Sequence, residues 1–433
     1  MFNFIESFYS LLTQDYWRDE LFTIFLARND FLEIIKLTAN DFNPPLYYFL
    51  THIWINLFGE SPIYLRTLPI LGHLLAVVMG YKLARIFTSK INSFLFAIIL
   101  LTNGYLFSYS FELRPYSFVV FFAVASTYAM LKKKNWLMIF FNVLGLYTHT
   151  YFVFFVFFQG LYLLWQELEY YKDTNIFKIK KQVFLSLRPT IISYLFFIPW
   201  LPTFIFQYSQ KQADFWLSKN DLIDVVKAIA IYISGYSNAQ PFITFTSLSV
   251  FVFALVFVFN NKKSRTKELF LFFGIFPTLF AVFVSHFSPV FTDRYLIFTV
   301  PFLLIIFVDF LDLNLKEVHR SLKILLVLAL IIGYVFFNIY QFSSTTHDKY
   351  GYKAHLVVKD LEVRPKTIIT NIPIHYFGFK YYFEKEGIYD VKFFNVNGKF
   401  PHFVGDAVVA KNDIITTYVN ESDYIFIGDD GLE

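Results

Sequence analysis

The chain has 433 residues, is 56% hydrophobic and only 16% charged, and has a formal net charge of +4. A soluble domain carries about 25% charge, so this deficit excludes an ordinary water-soluble protein and points to lipid as the solvent. The sequence has no cysteine, which excludes disulfides, thiolate nucleophiles and cysteine metal sites.

The N-terminal stretch Met1–Leu12 lacks the basic start and small-residue cleavage site of a signal peptide. Residues 15–48, "DYWRDELFTIFLARNDFLEIIKLTANDFNPPLYY", then place Asp19, Glu20 and Asp41 close together ahead of a double proline. The stretch 44–59, "PPLYYFLTHIWINLFG", is apolar but short for a span, and paired prolines suit a helix start. It is expected to be an interfacial or re-entrant helix with its aromatics at headgroup level. The first outer loop is accordingly long and structured, from about 13 to 62.

Apolar segments follow at 63–84, 91–110, 115–131, 135–148, 151–166, 189–207, 241–259, 268–287, 294–311 and 322–341. Each is of the order of the ~20 residues that a bilayer core requires. Basic clusters at Lys82/Arg85/Lys90, 132–134, 172–188, 262–267 and 316–323 fall in every second loop. By the positive-inside rule these loops are cytoplasmic. The alternate loops, with Glu112, Arg114, His149 and Arg294 at their helix ends, then lie outside, as does the first loop with its acids. This alternation asks for a span before Asp19; either the N-terminus begins outside or, the preferred reading, the first transmembrane helix is missing from this frame. The stretches "KTIITNI", "YDVKFF" and "DYIFIGDD" within 343–433 have strand-like β-branched and aromatic content. "YKAHLVVKDLE" and "IHYFGFKYYFEKEG" read as helices between them.

Acids at a water boundary suit interfacial chemistry better than conduction, which places ionisable groups deeper in the bilayer. A carboxylate serves as a general base, and arginine offers a planar fork to phosphate. Each residue also has a plainer reading. Asp19 and Glu20 are adjacent, about 100° apart on a helix, and need not share a role. Asp41 sits where a helix cap belongs. Glu112 and Arg114 are spaced to pair with each other, Arg294 adjoins Asp293, His149 suits a helix turn, and Tyr116 suits an aromatic belt. His52 and His73 lie on apolar faces and read as packing residues, and "GDDG" at 428–431 reads as a turn.

In chain order the motifs are Asp19–Glu20, "DFNPPLYY", "LFGES" with "LRTLP", "SFELRPYS", "THTYF" and "DRYL" followed by Pro301. This series, over about 13–313, resembles the GT-C glycosyltransferases, in the bacterial branch similar to protein O-mannosyltransferases and aminoarabinose transferases (glycosyltransferase family 39-like). The resemblance implies an integral membrane enzyme that takes its sugar from a polyprenyl phosphate, with its active site outside. It matches Asp19 to the catalytic acid of the first outer loop, accompanied by Glu20, and Asp41 to the acid before the paired prolines. It assigns Arg114 and Arg294 to the donor phosphate, with Glu112, Tyr116 and His149 as neighbours. Many relatives have His before the double proline where this chain has Asn43, a poorer metal ligand, so the use of a divalent cation is left open.

The expected fold is a polytopic α-helical membrane protein of about 10–11 transmembrane helices. A GT-C-like domain covers 1–342 and a small extracytoplasmic α/β domain covers 343–433. The expected function is multi-pass cell-membrane transfer of a sugar from a polyprenyl-phosphate donor to a hydroxyl acceptor on lipid, polysaccharide or protein, with no nucleic-acid partner. A transporter or flippase of lipid-linked sugars, and a polymerase or ligase using them, are the rival functions.

Overall fold

The computed structural model describes residues 4–170, 176–209, 222–235, 264–287, 291–306, 367–385, 387, 390–401, 405–417, 424–428 and 431–432. Its contacts divide the chain into two compact units. One comprises Met1–Ser7 with Arg66–Thr345, the other Phe8–Leu65 with Thr346–Glu433. Residues 8–65, read from the sequence as part of a domain ending at 342, therefore share a unit with the C-terminal residues.

In this mixed unit the expected first loop is built of three helices, Arg18–Ala27, Phe31–Ala39 and Leu46–Phe58. Asp30 caps the second by accepting from the Glu33 amide at 2.9 Å, the usual remedy for an unsatisfied first-turn N–H. The third has 13 residues, about 20 Å at 1.5 Å per residue, against a hydrocarbon core of about 30 Å. Phe31, Leu32 and Ile35 of the second helix and Ile53, Leu57 and Phe58 of the third are exposed. His52 ties the third helix to the first through a 2.8 Å contact between its Nδ1 and the Ala27 carbonyl.

The C-terminal residues form strands β1 (Thr367–Thr370), β2 (Asp390–Phe394), β3 (Ile414–Ile415), β4 (Tyr424–Gly428) and β5 (Gly431–Leu432) in the order β3-β2-β1-β4-β5. All neighbouring pairs are parallel except β4 with β5. A parallel pair requires a crossover, and the helix Pro373–Lys385 supplies it between β1 and β2. The central strand β1 is buried throughout, as a strand covered on both faces must be. Gly428 pairs with Gly431 in the β4–β5 hairpin, so the "GDDG" sequence joins two strands. The expected helix at 352–362 lies outside the described residues.

Aromatic rings join the two parts of this unit. Phe22 and Phe25 lie 6.4 and 6.0 Å from Phe377, and Tyr16 lies edge-on to Tyr381 at 5.7 Å. Tyr16 and Tyr381 both donate their hydroxyls to the Glu60 carbonyl, at 3.1 and 3.2 Å. The Glu60 carboxylate takes a two-pronged contact from Arg28, both bonds 2.8 Å. Arg28 in turn sits 5.4 Å over the Tyr381 ring.

In the helical unit, the helices Pro62–Ala84, Lys181–Ser209 and Arg265–Ser285 are long and apolar enough to cross a membrane. Lys90–Thr102, Tyr116–Leu131 and Asn135–Thr148 are shorter apolar helices, and Phe152–Tyr170 runs for 19 residues. Expected segments 241–259 and 322–341 lie outside the described residues, as does the end of 294–311. The segment 91–110, expected as one continuous span, is broken at Asn103. This residue ends one helix with ψ 118°, and its side chain caps the next, Gly104–Tyr109, through the Leu106 amide. Its Nδ2 donates to the Tyr232 and Ile233 carbonyls at 3.0 and 3.3 Å. An asparagine that satisfies three backbone groups makes the break stable in an apolar setting. His73, read as a packing residue, is buried with its Nε2 3.2 Å from the Leu101 carbonyl.

Four helices of this unit are joined by a buried amide–hydroxyl ring. Ser126 donates to Asn142 Oδ1 (2.5 Å), Asn142 Nδ2 to Gln159 Oε1 (2.7 Å), and Gln159 Nε2 back to Ser126 Oγ (2.9 Å). Asn142 Nδ2 also donates to Ser193, whose hydroxyl bonds the Pro189 carbonyl. In lipid the apolar surfaces gain little from meeting each other, so such bonds orient helices, each worth roughly 0.6 to 1.7 kcal/mol. Asn142→Leu is expected to lower the melting temperature in detergent, at a cost of about 1–3 kcal/mol, because it strands Gln159 and Ser126 as well. The triple change Asn142→Leu, Gln159→Leu, Ser126→Ala is expected to recover part of that loss. Thermal unfolding of the purified variants checks both.

Candidate functional site

The mixed unit carries the carboxylates. Asp19 and Glu20 stand in the first turn of the helix Arg18–Ala27, where the positive end of the helix dipole favours negative charge. Glu20 is 1% exposed and folds back so that its Oε2 accepts from the Trp17 amide at 3.2 Å. This is the reach-back half of a capping box; an indole has no acceptor with which to supply the other half. Asp19, 7% exposed, has one oxygen held by both arms of its neighbour Arg18, with N–O distances of 2.9 and 2.6 Å. Asp41 is equally buried, and its Oδ2 accepts a long 3.4 Å bond from the Asn43 amide, the local turn expected of aspartate. It does not cap the helix after the double proline: the residue in that position is Pro45, with no side-chain cap.

The helical unit carries the cations. "SFELRPYS" is a tight, wholly buried turn in which the Arg114 amide donates to the Glu112 carbonyl at 2.6 Å. Pro115 then starts the helix Tyr116–Leu131. His149 terminates the helix Asn135–Thr148 in extended conformation, and its Nδ1 accepts from the Tyr151 amide at 3.2 Å. That bond leaves the proton of the neutral ring on Nε2. Around the imidazole stand Tyr295 at 5.4 Å, Tyr151 at 5.8 Å and Tyr116 at 5.9 Å. Arg294 lies with its guanidinium 5.5 Å over the Tyr295 ring.

Burial first, and then the positive charges of Arg114 and Arg294, push the His149 pKa from 6.5 down to about 3. The imidazole is therefore neutral at pH 7, and both arginines act on it electrostatically. Arg114, Tyr116, His149 and Arg294 are thus brought together. A file of rings continues from Tyr116 through Tyr109 and Tyr105 to Tyr232, at centroid spacings of 4.9, 5.0 and 5.2 Å. The Tyr232 hydroxyl donates to the Asp293 carbonyl at 2.8 Å, next to Arg294. Two guanidiniums with phenols and one neutral imidazole form a donor-rich, water-poor setting suited to anionic oxygens.

Three residues that sequence reasoning gave no role stand out. Arg18 neutralises Asp19, and its position beside the acid was the available signal. Arg66, in "LRTLP", is wholly buried at the start of an apolar helix, and a charge in such a place is the signal. Tyr382, in the C-terminal helix, accepts a 2.6 Å bond from the Tyr16 amide; no local pattern announces a contact of that sequence separation. Among the described residues no group of three or more His, Asp or Glu is arranged to hold a metal ion.

No family model matches the chain, and no curated protein matches its sequence. Among solved structures it is similar to ArnT from Cupriavidus metallidurans in the apo state, with a TM-score of 0.61 and 14% identity over 95% of this chain and 87% of that one. ArnT bound to undecaprenyl phosphate gives the same TM-score and coverage at 13% identity. AglB, an oligosaccharyltransferase from Archaeoglobus fulgidus in complex with an inhibitory peptide and a dolichol-phosphate, gives 0.45 and 11% over 84% of this chain and 59% of that one. ArnT is an aminoarabinose transferase of the GT-C superfamily, and the chain shares its fold.

The neutral state of His149 has a pH signature. An unfolded histidine takes a proton near pH 6.5, whereas the folded one resists it down to about 3. Its contribution to stability is therefore complete above pH 6.5, erodes as pH falls, and is gone below about 3. Melting temperature is expected to drop between pH 6.5 and 4 by an amount equivalent to at most about 1.4 kcal/mol per pH unit. His149→Gln is expected to flatten that slope, which melting curves over the pH series will measure.

Proposed function

We propose that the protein is a membrane glycosyltransferase that moves a sugar from a polyprenyl-phosphate donor to an acceptor hydroxyl at the outer face of the membrane. The observation that carries this reading is that the buried His149 stands between Tyr116, two residues from Arg114, and Tyr295, which lies under the Arg294 guanidinium. It occurs in a chain with the fold of a protein that has been crystallised with undecaprenyl phosphate. In this reading Arg114 and Arg294 bind the donor phosphate and stabilise the charge that builds on it as the sugar–oxygen bond breaks. Tyr116 and His149 line the same place as neutral hydrogen-bonding groups.

Asp19 takes the proton of the acceptor hydroxyl as it attacks. Arg18 holds one oxygen of that carboxylate and fixes its rotamer. Glu20, engaged with the Trp17 amide, sets the helix start; Asp41 is the third carboxylate of the set. The balance is simple: a hydroxyl proton passes to Asp19, the new glycosidic bond forms, and the polyprenyl phosphate departs with the electrons of the broken bond. A transporter is disfavoured because, among the described residues, the buried polar ring of Ser126, Asn142 and Gln159 is uncharged and engaged with itself, whereas the substrate route of a carrier would need accessible polar groups.

In this reading the helix Leu46–Phe58 lies along the outer interface, and its exposed Leu57 and Phe58 enter the headgroup region. Because the chain has no cysteine, single cysteines at the exposed positions Asn40 and Ser61 report sidedness cleanly. Both are expected to react with an impermeant thiol reagent from the same side; opposite accessibility would mean that the helix spans.

Transfer itself is tested with undecaprenyl-phosphate-linked sugars and the protein in nanodiscs, with released undecaprenyl phosphate as the readout. Asp19→Asn is expected to cut turnover by about 10²–10⁴-fold with donor binding preserved. Arg114→Ala is expected to weaken both binding and turnover, and Arg114→Lys to restore only part, since lysine keeps the charge and loses the fork. Near-normal turnover by Asp19→Asn would move the base to Glu20 or Asp41.

A further inference from the structure

The helix that carries Asp19 and Glu20 is held from behind by residues more than 350 positions away in the sequence. The Tyr16 amide, three residues before Asp19, donates to the Tyr382 hydroxyl oxygen at 2.6 Å. Tyr382 belongs to the helix Pro373–Lys385, which the sheet anchors: Tyr376 and Lys380 of that helix both bond Asp413 Oδ2, at 2.7 and 2.9 Å. Lys392 of β2 reaches the other oxygen of Asp413 at 3.5 Å. Further along the acid-bearing helix, Phe22 meets the C-terminal residues a second time. A Cβ added to Gly405, whose φ is +108°, would stand 2.6 Å from the Phe22 ring, so only glycine allows that approach. The phenol of Tyr382 is kept protonated by burial and by the nearby charges of Asp15 and Glu20, all of which raise its pKa.

The geometry points to Tyr382 as a positioning residue for the reaction, one that sets the start of the acid-bearing helix so that Asp19 and Glu20 point where the acceptor hydroxyl must lie. Tyr382 touches no reacting atom; it acts through the Tyr16 amide. This rests on the role proposed for Asp19. It gives the C-terminal residues a part in catalysis itself, whereas a recognition module would alter only which acceptor is chosen. A displacement of about 1 Å in a reacting group can cost 10²-fold in rate, so one hydrogen bond at the root of the helix has leverage.

Tyr382→Phe keeps the ring and removes the hydroxyl that accepts from the Tyr16 amide. In the full chain in nanodiscs it is expected to speed hydrogen exchange of the amides at 16–22 by about tenfold or more. With undecaprenyl-phosphate-linked sugars as the probe, it is expected to lower kcat about tenfold with the donor KM unchanged. Phe383→Leu is the packing control: Phe383 lies buried in the same helix, stacked on Phe379. It is expected to lower the melting temperature yet leave kcat intact below it. Unchanged exchange at 16–22 in Tyr382→Phe would overturn the inference, as would equal kcat losses in the two variants. If the wild-type protein releases no undecaprenyl phosphate from any such donor, the proposed function fails. The exchange experiment then still decides whether Tyr382 sets this helix.

Discussion

A charge removed from water must be partnered or neutralised, because an isolated buried ion costs several kcal/mol even after relaxation. In a chain with only 16% charged residues this requirement governs the buried ones. Asp19 is gripped by Arg18; Asp413 gathers Tyr376, Lys380 and Lys392. His149, buried near two arginines, gives up its proton. Where Ser126, Asn142 and Gln159 meet between apolar helices, uncharged amides and hydroxyls close on one another.

The same requirement separates the chemistry into two kinds. Carboxylates stand at a helix N-terminus in the mixed unit, where capping and an adjacent arginine hold them. Guanidiniums and an imidazole stand at helix ends in the helical unit, enclosed by tyrosines that offer hydroxyl groups without further charge. The proposed base for a hydroxyl and the proposed cationic seat for a phosphate suit these two settings. Negative charge is stabilised by helix-end amides, and the planar guanidinium of arginine offers a fork of donors to phosphate oxygens.

Much of this was legible locally. "KTIITNI", "YDVKFF" and "DYIFIGDD" contain β1, β2 and β4, and "IHYFGFKYYFEKEG" overlaps the helix Pro373–Lys385; β-branched and aromatic content reports on strands directly. Arg114, Tyr116, His149 and Arg294 were picked out by their places at helix ends, but their meeting around one imidazole is a tertiary fact. The break at Asn103 was hidden because hydropathy does not register a side chain that caps one helix and bonds the carbonyls of another. The union of residues 8–65 with the C-terminal residues was hidden for a related reason. It is made by ring packing and by the Tyr16–Tyr382 bond, and nothing in either segment alone names its partner.

We propose that Arg114 and Arg294 seat the phosphate of a polyprenyl carrier. Native mass spectrometry of the protein released from nanodiscs containing undecaprenyl phosphate measures this without knowledge of sugar or acceptor. The account requires a one-to-one adduct of undecaprenyl phosphate on the wild-type protein, and its loss from a folded Arg114→Ala, Arg294→Ala double variant. Equal retention by both proteins would contradict it.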